Sequence, residues 1–448
     1  MGFGGFTVSV MAMVIALGGG PDADRDSESI VSNLQDLIEV NDLDPDDVMS
    51  VEDHDSGKTV TFQDIDVPVD LDLGVNVGGM VLDIDDGDEE ELKISLELPD
   101  EFKIFNPDHF SDNSDYGIVS AGGNVLDLTI DRDNGIATHG LIDLADFSVF
   151  IPESIDPTWD SDFTLDAERV VFDGQLSPGE DDLWGWASAL EIGAMTTGDE
   201  DMDVSVGSLD VTTEVHDIDL ATVMEHRDEL GMRDDLDINS GGAWYIDVAE
   251  VEASGPDHTL DGSMNSGWIG FEVSGFGDDG LTVSGGYGVD GLDILSLWLP
   301  PELVPSQSRF EFTLEDGPTL DQMPELGAIM FMGPDPYLTA FEESGGHLTL
   351  GGEAQAEVAG FDFESDFTAD SAMPLGGVGE LTMAVRNFGD LVEVVQGLDP
   401  DAAGALTMFQ MMGDQSEEGL HRYHFEIKES GELLLNGNDL EQMMGAFQ

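Results

Sequence analysis

Thr59–Asp66 (TVTFQDID) and Met80–Asp85 (MVLDID) alternate apolar residues with polar ones, mostly Asp or Thr. A period of two puts successive side chains on opposite faces of a β-strand, so each segment has one apolar and one acidic face. The alternation continues along the chain, as in His347–Ala369 (HLTLGGEAQAEVAGFDFESDFTA). The sequence therefore predicts a mainly β fold of the α+β kind. We expect a long antiparallel sheet meander, twisted or curved, with a few short packing helices.

Short helices are predicted where apolar residues recur every three or four positions. The first begins at a cap formed by Asp26 or Ser27 and runs to about Val40. Four further helices are predicted at Leu220–Leu230, Phe388–Gln396, Ala402–Met412 and Leu440–Phe447.

Three regions are predicted along the chain. Residues 1–20 contain the apolar run Phe6–Leu17, whose length suits a signal-peptide core but falls short of the ~20 residues of a transmembrane helix. The preceding MGFGG has no Lys or Arg, unlike most signal peptides, and a buried N-terminal strand is the alternative. Prolines at Pro300–Pro305 mark the best internal boundary. They separate an N-terminal β-rich region, 21–300, from a C-terminal β-rich region with a helix pair, 301–448.

The charge balance excludes several classes of partner. The chain has 12 Lys and Arg against 98 Asp and Glu, a net charge of −86. No basic patch exists to neutralise phosphates, so nucleic-acid binding and polybasic docking to membranes are excluded. Such acidity favours a halophilic source, where it keeps proteins soluble in brine, and bulk cation binding is an alternative. A hydrophobic content of 40% argues against a disordered acidic chain, and the absence of Cys excludes disulfides and thiol chemistry.

Two glycine-rich motifs match cofactor-site patterns but lack the sequence context that such sites need. Gly275–Gly280 (GFGDDG) matches the dinucleotide-binding pattern, but a predicted strand follows it where that pattern requires a helix. A hairpin turn is therefore predicted. Gly285–Asp293 (GGYGVDGLD) matches one nonapeptide of the calcium-binding β-roll, which needs several stacked copies. Calcium ligation by Asp290 and Asp293 is the speculative interpretation, and no other cofactor is predicted.

Two further groups of residues lie near the C-terminus. His421 and His424 are three apart, so on a strand they face opposite ways, and we expect surface or edge histidines. Met408, Phe409, Met411 and Met412 form a Met-rich helical face. Such a face usually packs in a core. The sharper interpretation is an adaptable apolar surface that contacts a lipid or a partner.

Two terminal blocks resemble an alphaproteobacterial family of envelope proteins of unknown function (domain of unknown function 2125). Residues 29–43, the Gly57-Lys58 turn and 59–71 are similar to its opening helix and first strands. Residues 377–414 and 421–444 are similar to its closing strand, helix pair and final strand–turn–strand. The family offers no catalytic residues to carry over. The predicted sheet also resembles AsmA-like proteins, which are associated with lipid handling between membranes, by analogy of fold alone.

The sequence predicts a non-enzymatic protein, periplasmic or secreted, that binds lipid or another hydrophobic ligand in a groove of its sheet. Its expected partner is a lipid or an envelope component. The alternative is a structural or surface protein that binds divalent cations through acidic sheet faces. A hydrolase with carboxylate catalysis is a third hypothesis. It would need a deep polar pocket that holds a carboxyl group of raised pKa.

Overall fold

The computed structural model describes residues 26–440 and 442, except for a set of internal segments. These segments are 41–43, 64–65, 69–73, 77–78, 89, 106–116, 133–135, 153–161, 180–182, 199–201, 220–240, 256–260, 276–279, 295–299, 320–334, 371–372, 374–375 and 417–418. The predicted signal peptide (1–20) and the predicted helix Leu220–Leu230 lie outside the described residues, as does most of Leu440–Phe447.

The protein is mainly β, with antiparallel strand pairs and short helices, which confirms the predicted fold class. The chain divides into two compact units. The first comprises Met1–Pro178, Gly185–Thr212 and Ser254–Pro256, as far as these are described, and the second comprises Gly179–Trp184, Thr213–Ala253 and Asp257–Gln448. The proline stretch Pro300–Pro305 lies within the second unit, where Pro301–Leu303 forms a 3-10 helix.

The first unit contains two helices and a strand meander. The helices are α1 (Ser27–Val40) and α2 (Pro45–Val48). The strands are β1 (Met49–His54), β2 (Gly57–Phe62), β3 (Asp66–Pro68), β4 (Gly74–Asn76), β5 (Val81–Asp85), β6 (Glu91–Glu97), β7 (Glu101–Phe105), β8 (Gly117–Asp131), β9 (Ile136–Ile151), β10 (Phe163–Pro178), β11 (Trp184–Ile192), β12 (Met195–Gly198) and β13 (Asp203–Val206), and β14 (Ser208–Ile218) continues into the second unit. Pairing runs β1–β2–β5–β6–β8–β9–β10–β12–β13, and β3–β4–β7 joins the first half of β8.

Helix α1 covers part of this sheet. Asp26 is its N-cap: Oδ1 accepts hydrogen bonds from the Ser29 N–H and Oγ–H, both at 2.8 Å, and the Asp26 carbonyl accepts the Ile30 N–H at 3.1 Å. The apolar stripe of α1 then packs on the alternating apolar residues of the strands. The resulting buried cluster contains Ile30, Val31, Leu34, Met49, Val60, Leu82, Ile84, Leu92, Ile94 and Ile130. Further along the sheet, Leu98, Val119, Leu144, Phe147 and Val170 belong to a second buried cluster.

The second unit is a longer meander with three α-helices. Its strands are β15 (Gly241–Ser254), β16 (Gly262–Ser274), β17 (Leu281–Asp290), β18 (Asp293–Ile294), β19 (Gln307–Gly317), β20 (His347–Gln355), β21 (Gly360–Ala369), β22 (Gly377–Arg386), β23 (Asp414–Gln415), β24 (His421–Ile427), β25 (Leu433–Leu435) and β26 (Asn438–Asp439). Its helices are α3 (Asp335–Ser344), α4 (Phe388–Leu398) and α5 (Pro400–Met412). Pairing runs β15–β16–β17–β19–β20–β21–β22–β24–β25–β26.

The hairpin predicted at Gly275–Gly280 is confirmed by its flanking strands. β16 and β17 are antiparallel neighbours, and Ser274 lies opposite Thr282. Both Gly275 (φ 76°) and Gly280 (φ 85°) adopt the left-handed conformation that glycine tolerates. None of the helices in the described part of the chain has the length and hydrophobicity needed to cross a lipid bilayer.

Candidate hydrophobic ligand site

The sheet of the second unit has one face that is almost entirely apolar. Residues that lie opposite one another in an antiparallel register share a face, so the register defines rows across the strands. The apolar face is defined by four such rows. They are Val248-Gly267-Val289-Ser308-Ala354-Phe361-Val385-His421, Ile246-Ile269-Tyr287-Phe310-Gly352-Phe363-Met383-Tyr423, Trp244-Phe271-Gly285-Phe312-Leu350-Ser365-Leu381-Phe425-Leu435, and Gly242-Val273-Val283-Leu314-Leu348-Phe367-Gly379-Ile427-Leu433. None of these positions carries a carboxylate, although the chain contains 98 Asp and Glu.

The opposite side, the polar face, carries the charge. Its rows include Ser266-Asp290-Gln307-Gln355-Gly360-Arg386, Asp247-Trp268-Gly288-Arg309-Glu353-Asp362, Tyr245-Gly270-Gly286-Glu311-Gly351-Glu364 and Glu272-Ser284-Thr313-Thr349-Asp366-Glu380-Glu426. One face of the sheet is therefore apolar and the other is polar and charged, as the alternation in the sequence predicts.

Aromatic rings form a continuous row on the apolar face. Consecutive ring centroids lie 5.7 Å apart for Phe361–Phe363, 6.4 Å for Phe363–Phe310, 6.3 Å for Phe310–Phe312 and 6.4 Å for Phe312–Phe271. These separations suit tilted contacts between rings. Tyr287 extends the row from Phe310 at 6.0 Å. The row reaches from β21 to β16 and is partly exposed.

Glycines lie beneath two of these rings. A Cβ atom at Gly352 would lie 2.5 Å from Cε1 of Phe363, and one at Gly285 would lie 3.0 Å from Cε1 of Phe312. The rings therefore lie across the backbone of the neighbouring strand and occupy the space that a side chain would fill.

The helix pair α4–α5 covers one end of the apolar face. Asp399 caps α5 by accepting hydrogen bonds from the N–H groups of Asp401 (2.9 Å) and Ala402 (3.1 Å). The ring of Phe409 stacks on Tyr423 with centroids 4.3 Å apart, and the Tyr423 hydroxyl donates to the Phe409 carbonyl at 3.1 Å. Burial raises the pKa of Tyr423 to about 12. These contacts fix α5 on the sheet.

A cavity of about 310 Å³ lies beside the helix pair. The 3-10 helix, the β20–β21 turn, strands β21 and β22, and both helices line it, and every described residue that lines it is apolar. Its walls include Leu303, Val358, Phe361, Val385, Leu391 and Leu406. Since Phe361 also begins the aromatic row, the cavity and the exposed part of the apolar face are contiguous.

The structure separates the four residues of the predicted Met-rich surface. Phe409 lines the cavity, and Met412 packs with it in the cluster around Phe388 and Tyr423. Met408 and Met411 face away, with 42% and 68% of their surface exposed. The helical spacing of Ala403, Leu406 and Phe409 marks the packed side of α5.

Asp290 and Asp293, the speculative calcium ligands, lie at the end of β17 and in β18. Oδ1 of Asp290 accepts a hydrogen bond from Nε2 of Gln307 at 2.6 Å, and Asp293 is exposed. Within the described ranges, no three His, Asp or Glu side chains are grouped closely enough to hold a metal ion.

The two histidines face opposite sides of β24, as predicted, but the expected surface or edge position is wrong for His421. Its side chain is 5% exposed, and its ring meets Phe388 edge-on at 5.5 Å. It belongs to the apolar face, which α4 covers at that point. His424 belongs to the polar face and lies 3.0 Å from Oε2 of Glu380.

Sequence reasoning missed the cavity walls contributed by Leu303, Val358 and Phe361. The available signal was Val358-Ala359-Gly360, two adjacent apolar residues and a glycine that interrupt the alternation of His347–Ala369 and indicate a turn. Alanine and valine in such a turn remain free to line a space. Which helix they approach depends on strand pairing between distant segments.

The geometry defines a mainly β protein whose second unit carries an antiparallel sheet with one apolar and one polar face. Comparisons with family models, with curated proteins and with solved structures found no match to this chain. The resemblance of the terminal blocks to an envelope family therefore stays a prediction.

Proposed function

We propose that the second unit binds a hydrophobic ligand, with a slender acyl chain as the chemical class. One observation carries this proposal: among the described residues, only apolar ones line the cavity beside α4–α5, and the cavity continues into a carboxylate-free apolar face. In a chain of net charge −86, such a face keeps charge away from a region that is not fully buried. Exposed apolar surface of this kind typically marks an interaction site.

The dimensions suit part of a lipid. A cavity of about 310 Å³ is at the lower end of the range for small-molecule sites, roughly 300–1,000 Å³. It takes a tail segment, and the aromatic row offers a continuous apolar surface to the rest of the tail. Each methylene removed from water contributes about 0.8 kcal/mol. A long chain therefore gains affinity in proportion to the length that contacts the face.

A non-catalytic role in a salty, extracytoplasmic setting belongs to the same proposal. The apolar run Phe6–Leu17 supports export, and the acidic excess supports high salt. The carboxyl pKa shifts resolved for Asp26, Asp53, Asp85 and Asp143 are all downward, each mainly from a hydrogen bond to the carboxylate. A carboxylic general acid needs the opposite shift.

Two matched variants test the site in purified full-length protein at about 1 M KCl, where the screening length is ~3 Å. Val358→Trp fills the cavity from the β20–β21 turn, and Met411→Trp adds the same ring on the exposed side of α5. The neutral fluorescent probe N-phenyl-1-naphthylamine reports binding. We expect Val358→Trp to weaken binding about tenfold, a loss of ~1.4 kcal/mol. Met411→Trp should change it less than about twofold.

Organic extraction of the same preparation identifies bound lipid by mass spectrometry. Equal probe affinity in both variants, or probe that no extracted or added lipid displaces, contradicts the proposal. The alternative of cation binding through acidic faces predicts micromolar calcium sites by calorimetry in the same buffer and no effect of Val358→Trp.

A further inference from the structure

A second depression, of about 450 Å³, lies on the polar face of the same sheet. Residues of β16, β17, β19, β20 and β22 line it, so it crosses the strands on the side opposite to the apolar cavity. At ~4.8 Å per strand, the distance from β16 to β22 is roughly 24 Å. Trp268 lies at its β16 end and Arg386 at its β22 end.

The indole of Trp268 lies over the neighbouring strand. A Cβ atom at Gly288, its neighbour on β17, would lie 2.8 Å from both Cδ1 and Cε2 of the indole. The ring therefore occupies the side-chain space of Gly288. Tyr245 is arranged in the same way over Gly270, where a Cβ would lie 2.6 Å from Cε1 of the ring, and 41% of Tyr245 is exposed. Two partly exposed aromatic rings thus lie over glycines of the polar face.

Planar polar side chains surround Trp268, and several are held in place. Gln307 donates to Asp290 at 2.6 Å, and Nε2 of Gln355 donates to the Ala356 carbonyl at 2.8 Å. Arg309 pairs with Glu311 at 2.5 Å. Each of these hydrogen bonds occupies only some of the donor and acceptor atoms of the side chains involved. The amide oxygen of Gln307, the second oxygen of Asp290 and further N–H groups of Arg309 retain hydrogen-bonding capacity.

The charges around the depression are mixed, with an excess of carboxylates. Two carboxylates and two arginines line it, and both arginines also pair with carboxylates outside the lining, Arg309 with Glu311 and Arg386 with Asp362. These surroundings repel an anion, and among the described residues no three carboxylates or histidines are grouped closely enough to hold a metal ion. The lining suits a neutral ligand that offers many hydroxyl groups to mixed donors and acceptors.

We propose that this depression binds a neutral oligosaccharide. The apolar C–H face of one sugar ring stacks on Trp268, since a partly exposed indole offers a planar apolar surface that matches it in shape. Its hydroxyl groups exchange hydrogen bonds with Asp290, Gln307 and Arg309. The length of the depression suits several linked sugars. This site is separate from the proposed acyl-chain site, because the two lie on opposite faces of the sheet.

The test uses full-length protein in about 1 M KCl, so that charge attraction is screened. A glycan array of neutral, acidic and basic oligosaccharides identifies the preferred class, and calorimetry with the best neutral tetra- to heptasaccharide measures its affinity. Trp268→Ala is compared with Trp244→Ala, the same substitution on the next strand but on the apolar face. We expect Trp268→Ala to weaken binding about tenfold and Trp244→Ala to leave it unchanged.

Circular dichroism checks that both variants fold. If Trp268→Ala does not, Gln307→Ala, at an exposed position, serves in its place and should weaken binding several-fold. Three results overturn the proposal: no neutral oligosaccharide binds at millimolar concentration, charged glycans bind better than neutral ones, or the Trp244 variant loses as much affinity as the Trp268 variant.

Discussion

Both units contain strands that alternate apolar and polar residues, but the two units bury the apolar side chains to different extents. In the first unit, Val60 and Ile84 lie under α1 and are 0% exposed. In the second unit, Ile269 and Tyr287 occupy equally central strands, yet each is 45% exposed. Alternation in the sequence therefore specifies that a face is apolar, but not what covers it. The first unit therefore covers its apolar residues within its own core, whereas the second leaves part of its apolar face exposed, and the proposed acyl-chain site uses that part.

Lowering the salt concentration should produce the largest difference in stability between the two units. Same-face carboxylates along a strand, such as Asp362, Glu364 and Asp366, are ~7 Å apart, which lies between the screening lengths of ~3 Å at 1 M and ~10 Å at 0.1 M salt. Repulsion between these carboxylates therefore becomes significant when the salt is diluted from about 1 M to about 0.1 M. We expect the second unit, with less buried apolar surface to oppose it, to unfold at a higher salt concentration than the first.

Hydrogen exchange followed by mass spectrometry measures this order, since it reports each strand separately. Sodium chloride and potassium chloride serve as matched salts. If both units lost protection from hydrogen exchange at the same salt concentration, the amount of exposed apolar surface would not determine which unit unfolds first.

A matched pair of core substitutions should have the next largest effect. Ile84→Ala removes a side chain that is 0% exposed in the first unit, and we expect it to lower the free energy of unfolding by about 2–5 kcal/mol. Ile269→Ala, at a site 45% exposed in the second unit, should cost less than ~1 kcal/mol. Urea unfolding at about 1 M KCl measures both. Equal costs would show that β16 is covered in solution.

The smallest effect concerns the cap of α1. Its hydrogen bonds from Ser29 hold the pKa of Asp26 below the ordinary 3.8. The stabilisation is therefore present above pH ~4 and is lost as the pH falls through the lower folded-state value. Asp26→Ala should cost about 1 kcal/mol near pH 7. The difference from the native chain should shrink as the pH falls below ~3.

Asp26→Asn is the control, since an amide oxygen still accepts the Ser29 hydrogen bonds without a titrating charge. Urea unfolding of the first unit at each pH gives the comparison. A cost of Asp26→Ala that stays constant down to low pH would exclude the carboxylate as its source.

The strands and the helix pair could be predicted because their signals are local. Strict alternation marked Val81–Asp85, and helical spacing marked Phe388–Leu398, which the sequence placed at Phe388–Gln396. Several elements were not predicted, and two of them show the reason. Trp184–Ile192 (WGWASALEI) does not alternate cleanly, and Asp335–Ser344 begins with Asp-Pro and has few apolar residues.

The candidate site was predicted less well, because it depends on which distant segments meet. The Met-rich face pointed to α5, but only packing against Tyr423 decides that Phe409 faces inward and Met411 outward. The cavity also needs Leu303 and Val358, whose approach follows from strand order. The position of the charged residues helped in one respect: no carboxylate lies in the four rows that define the apolar face.

The glycines beneath the rings give this sheet an unusual mutational profile. At Gly288 or Gly352, one added methyl group would meet the ring of Trp268 or Phe363. Alanine at either position would therefore displace the ring that lies over it. Glycine at these positions therefore leaves room for the aromatic ring of the neighbouring strand. We expect natural sequence variation at these glycines to be more restricted than their solvent exposure alone suggests.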